Sequence, residues 1–164
     1  MPGHVLREAE PADVTDVLRL VRGLAEYERL LHEATATEAE IHDALFAPTP
    51  RIHATLAERG GRAVGLALFY YTFNTFKARP NIFLEDLFVE PAHRGSGIGL
   101  ALMRHLAQRA VAENCGRLEW RVLKWNQPSI AFYRRLGAEP IEHWHTLLLR
   151  GDELAALAEG TSHG

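Results

Sequence analysis

The stretch Arg94-Gly95-Ser96-Gly97-Ile98-Gly99 sets three glycines at alternate positions, between a strand-like run (Ile82 to Val89) and a helix-like run through Leu102, Leu106 and Ala110. Glycines at that spacing let a backbone approach a ligand closely, with successive N–H groups turned one way. A helix N-terminus directly behind them adds partial positive charge. The chemistry this predicts is the binding of a phosphate or pyrophosphate. A P-loop would need Lys-Ser or Lys-Thr after the last glycine, where Leu100-Ala101 stands. A dinucleotide fingerprint would need glycine in place of Leu100 and would open a series of βαβ units. Taken alone, the stretch could also be a turn that caps a helix.

The elements that must position this loop follow from periodicity. Val5 to Ala9 reads as a strand, and Pro11 suits the first turn of a helix whose apolar face is Val14, Val17, Leu18, Val21, Leu24 and Ala25, running to about Leu31. Thr37-x-x-Glu40 is a capping box before a short second helix ended by Pro48 and Pro50. Ile52 to Glu58 and Ala63 to Phe73 read as a hairpin turning at Gly60-Gly61. Beyond the loop and its helix come a strand at Arg117 to Leu123 and a helix from Gln127-Pro128 closed by Gly137. A strand over Trp144 to Leu149 and a helix over Asp152 to Glu159 complete the order, and 160–164 is expected to fray. The order β-α-α-β-β-β-α-β-α-β predicts a central mixed sheet flanked by helices.

At 164 residues the chain is expected to form a single domain with an adequate core. Its net charge of −3 and lack of a basic run argue against nucleic acid as a partner. Cys115 is the only cysteine, so no internal disulfide can form, and a small buried hydrophobe is its better reading. No apolar run is long enough for a membrane helix, the longest being Ala63 to Phe73. A cytoplasmic protein without a membrane partner is expected.

Asn126-Gln127-Pro128-Ser129-Ile130-Ala131-Phe132-Tyr133, ending at Gly137, follows the glycine loop at a distinctive distance. The two motifs together resemble the GNAT acyltransferases, whose pyrophosphate loop reads Arg-x-x-Gly-x-Gly. Leu24-Ala25-Glu26-Tyr27-Glu28, Leu84-Glu85-Asp86-Leu87-Phe88-Val89 and Val122-Leu123-Lys124-Trp125-Asn126-Gln127 are similar to the diamine and polyamine acetyltransferases and to the thialysine branch. The resemblance implies an α/β (α+β) fold with a mixed, mostly antiparallel sheet of about six to seven strands. It implies acetyl-CoA as co-substrate, held by Leu87, Phe88, Val89, Arg94, Gly95, Ser96, Gly97, Ile98, Gly99, Leu100, Asn126, Ser129 and Tyr133. It also implies a small primary amine as acceptor, bound by Tyr27, Glu28 and Glu85, and a homodimer.

An amine with a lysine-like pKa of about 10.4 is protonated at neutral pH and must lose a proton before attacking a thioester. The family's carboxylate for holding the amine and removing that proton through water falls at Glu85. Glu85 alternates with Phe83, Leu87 and Val89, so an otherwise buried face would carry one carboxylate. Asp86, pointing to the opposite face, ranks below it. The family's oxyanion donor is a backbone N–H at this strand's end, here Phe88 or Val89. Tyr133 falls at the acid that protonates the departing thiolate.

Asn74 stands where the polyamine enzymes carry an acid, and Glu142-His143-Trp144-His145 replaces a more acidic stretch, which weakens attraction for a distant second ammonium. His143 and His145 alternate, but no third ligand supports a metal, and none is expected. The expected function is acetyl transfer to a small amine by direct attack. A protein or peptide acetyltransferase, or a non-catalytic acyl-CoA-binding module, are the alternatives.

Overall fold

The computed structural model describes residues 3–161. They fall into two compact units, Met1–Leu123 and Lys124–Gly164.

The first unit is built on a five-stranded sheet: β1 (Val5–Glu8), β2 (His53–Arg59), β3 (Arg62–Asn74), β4 (Arg79–Val89) and β5 (Leu118–Trp120), in that spatial order. The first four strands pair antiparallel and β5 joins β4 in parallel. The hairpin turns at Gly60-Gly61, both at positive φ, which is why glycine is needed there.

One face of the sheet packs on α1 (Val14–Tyr27) and α2 (Glu38–Phe46): Val17, Leu20 and Leu45 close a core with Leu56, Leu66, Leu68 and Phe88. The Thr37 hydroxyl accepts the Glu40 N–H while Glu40 returns to the Thr37 N–H, so the expected capping box forms. α1 stops at Tyr27, short of Leu31, because Arg29 enters the left-handed region at φ 61 and the Leu30 N–H reaches back to the Ala25 carbonyl.

The other face carries α3 (Ile98–Ala112), whose Ile98, Leu102 and Leu106 are fully buried. Gly65 makes that approach possible. A Cβ there would lie 3.0 Å from Ile98 and 3.2 Å from the Ala57 methyl. Among the described residues, no helix is long and apolar enough to cross a membrane.

The second unit holds α4 (Gln127–Arg135) and α5 (Gly151–Ala158). Gly137, at φ 88, ends α4 as expected, with its N–H on the Arg134 carbonyl and the Ala138 N–H on Tyr133's. The strand expected over Trp144 to Leu149 does not form, so the sheet has five strands where six to seven were expected. Alternation makes a segment fit for a strand, but the strand itself exists only when a neighbour takes its N–H and C=O groups. No described strand does so here, and Trp144, Leu147, Leu148 and Leu149 remain exposed. Of the tail expected to fray, Gly160 and Thr161 bond back to Leu157 and Ala156, while 162–164 lie outside the described residues.

Candidate active site

Gly97 precedes α3 in the left-handed region at φ 84, and Gly95 lies there too, at φ 75. Any side chain would be strained at either position. No side chain caps the helix, so the N–H groups of its first turn lack an intrahelical acceptor. Residues 94–97 are exposed. The Ser96 hydroxyl donates to the His93 carbonyl at 2.5 Å and ties the loop to the preceding turn. Backbone donors and helix charge together therefore fit a pyrophosphate.

Arg94 reaches back from the loop. Its Nε donates to the Val89 carbonyl at 2.9 Å. Its guanidinium carbon lies 4.9 Å from the Tyr27 ring centroid and 5.5 Å from that of Phe88. Gly23 on α1 gives the Phe88 ring its place, since a Cβ at position 23 would lie 2.7 Å from it.

β4 changes character at its middle. β5 pairs with it only over Ile82–Leu84, whereas β3 follows it to Val89. Where β5 stops, β4 bulges: Leu68 faces Asp86 and Phe69 faces Leu84, leaving Glu85 as the extra residue. From Asp86 to Val89 the outer edge of β4 has no strand partner among the described residues.

The bulge corrects the expected placement of the two acids. Strict alternation put them on opposite faces, with Glu85 in the buried row. Instead Asp86 joins Phe83 opposite Leu68 and Tyr70, on one face of β3. Glu85 is exposed and Asp86 half-buried. The Tyr70 hydroxyl donates to Glu85 Oε2 at 3.3 Å, and Arg121 Nη2 donates to Oε1 at 3.4 Å. Burial pushes the Asp86 carboxyl up to about 7, with the charges of Glu85 and Glu28 adding to the effect. Burial also raises Glu28, again with help from Glu85. The Tyr70 hydroxyl is raised as well, chiefly by burial, so it stays protonated as a donor. Glu28, Glu85 and Asp86 thus form one acidic cluster, and a carboxyl near 7 can exchange a proton at neutral pH. Tyr70 and Arg121 had no local signal in sequence, since strand register alone brings them to Glu85.

In the second unit, Asn126 is buried and caps α4, its Oδ1 accepting the Ser129 N–H at 3.4 Å. Tyr133 lies half-buried on α4 with its ring 5.3 Å from that of Phe132. His143 and His145 are exposed. No group of three or more His, Cys, Asp or Glu residues that could hold a metal occurs among the described residues. Cys115, half-buried, has its thiol pushed up by burial, unlike a reactive thiolate.

A profile of the Acetyltransferase (GNAT) family matches residues 18–138. The chain belongs to the GNAT acetyltransferase family. It is 36% identical to the thialysine N-epsilon-acetyltransferase of Bos taurus, over 94% of this chain and 96% of that one. It is 31% identical to the human spermidine/spermine N(1)-acetyltransferase-like protein 1, over 93% of this chain but 23% of that longer protein. An integron cassette protein from the mobile metagenome of V. cholerae shares the fold with a TM-score of 0.81 and 28% identity, over 97% and 99% of the two chains. The GNAT-like α+β fold and N-acetyltransferase activity are thereby shown.

Proposed function

We propose that this GNAT enzyme transfers acetyl from acetyl-CoA to a small primary amine, a diamine, polyamine or lysine-like amino acid, by direct attack. The observation that carries this reading is the bulge in β4. It sets an acidic cluster beside a strand edge with no strand partner among the described residues, a few residues before the exposed glycine loop. The family profile runs across both compact units, which supports their acting as one domain.

Acetyl-CoA supplies a thioester-activated acyl group. Gly95 to Leu100 hold its pyrophosphate with backbone N–H groups, while Leu87 to Val89, Asn126 and Ser129 bind its arm. Tyr27, Glu28 and Glu85 attract the acceptor ammonium. Glu85, joined by Asp86, takes the amine's proton through water. The Phe88 or Val89 N–H holds the acyl oxygen. Tyr133 donates a proton to the departing sulfur. The exposed apolar run at Leu147–Leu149 supports a homodimer.

Coenzyme A release with putrescine, spermidine, lysine, thialysine and a histone-tail peptide tests the reading. Turnover with a small amine is expected. Turnover with the peptide alone would reassign the enzyme to protein substrates, and tight acetyl-CoA binding without any thiol release would make it a binding module. Tyr133→Phe should lower kcat by about 10²- to 10⁴-fold with little change in acetyl-CoA affinity. Equal loss of both would remove the acid role.

A further inference from the structure

Arg121 stands at the first position after β5, where β5 ends beside the β4 bulge. Its Nη2 lies 3.4 Å from Glu85 Oε1, and its guanidinium carbon lies 5.5 Å from the Phe83 ring centroid. Phe83 stacks on Tyr70 with centroids 5.2 Å apart, and Tyr70 bonds the other oxygen of Glu85. The aromatic pair thus gives the guanidinium a platform beside the acidic cluster. Arg121 remains 67% exposed in its side chain, against 38% for Glu85. A guanidinium has five donors in a planar fork, and the contact with Glu85 uses one. Among the described residues, no other hydrogen bond or ion pair engages Arg121.

A second cation on an acceptor would meet this fixed positive charge next to the carboxylate that draws the first. A carboxylate on the same acceptor would meet a fork matched to it in shape and charge. Resting on the small-amine reading above, we propose that Arg121 is a specificity residue that binds the carboxylate of the acceptor. The favoured acceptor then carries its reactive amine and a carboxylate on one short chain, as a basic amino acid does, whereas an α,ω-diamine of equal length is disfavoured. The acidic cluster takes the ammonium end and the outward side of the Arg121 fork takes the anionic end.

Lysine and cadaverine make the direct test, because they differ only by the carboxylate. The wild-type kcat/KM should be higher for lysine, with the product acetylated on the side-chain nitrogen. Arg121→Gln should lower kcat/KM for lysine by about 10-fold or more, chiefly through KM, and raise it for cadaverine. Arg121→Glu should reverse the preference, and Arg121→Lys should restore part of it. A thermal shift with acetyl-CoA checks that each variant is folded. Equal kcat/KM for the two amines in the wild type, or a parallel fall for both in Arg121→Gln, would overturn the role of Arg121 while leaving small-amine transfer intact. Absence of transfer to every amine would instead overturn the small-amine reading, and this inference with it.

Discussion

The glycine loop and the β4 bulge lie a few residues apart and treat charge in opposite ways. The loop presents backbone N–H groups at an exposed helix start and needs no ionisable side chain to attract an anion. The bulge gathers Glu28, Glu85 and Asp86, and burial there disfavours the charge of two of them. One site is satisfied by conformation alone. The other stores electrostatic strain that an arriving cation relieves. Recognition of the acyl donor should therefore be insensitive to pH near neutrality, and recognition of the acceptor strongly sensitive.

Asp86→Asn breaks this contrast most sharply. It should cut kcat/KM by about 10²- to 10⁴-fold and leave acetyl-CoA affinity unchanged. In the parent, kcat/KM should climb as pH rises through about 7, where Asp86 loses its proton, and that limb should vanish in the variant. If Glu85→Gln removes the limb and Asp86→Asn does not, the proton passes to Glu85 alone.

Next in size is the effect on stability. The Asp86 carboxyl titrates at about 7 in the fold and at the ordinary 3.8 when exposed. Below 3.8 it is protonated in both states and no penalty exists. As pH rises from there to about 7 the unfolded chain ionises first, so stability falls, and above 7 the loss is complete. Asp86→Asn removes this penalty. Urea unfolding at pH 8 should find the variant more stable by on the order of 2–4 kcal/mol, with the gain gone below pH 4. No gain at pH 8 would mean that water already relieves the cluster.

The smallest effect belongs to the loop. Gly97→Ala places a Cβ at φ 84, a conformation costing roughly 1–2 kcal/mol for an ordinary residue. Acetyl-CoA should bind about 10-fold more weakly by calorimetry, with the KM for amine nearly unchanged. A matching rise in amine KM would show that the two sites are not separate in energy.

What was legible in sequence was local. The loop, the Thr37–Glu40 box and the Gly60-Gly61 turn each depend on the conformation of a few neighbouring residues, and all three stand where the residue types place them. The bulge depends on how β4 meets β3, and alternation counted along one strand cannot reveal an extra residue. Asp86 accordingly stands on the face opposite to the one that alternation assigns it. Tyr70 and Arg121 were missed for the same reason, because strand register brings both to Glu85. Trp144 to Leu149 shows the converse: its pattern suits a strand, but the partner that would make it one is not among the described strands.

Arg94 grips the Val89 carbonyl while its guanidinium rests over Tyr27 and Phe88. The loop cannot shift without pulling on the end of β4 and on the last turn of α1. The anion site is thus held in place before any ligand arrives, and the entropy of ordering the loop is met in folding rather than in binding.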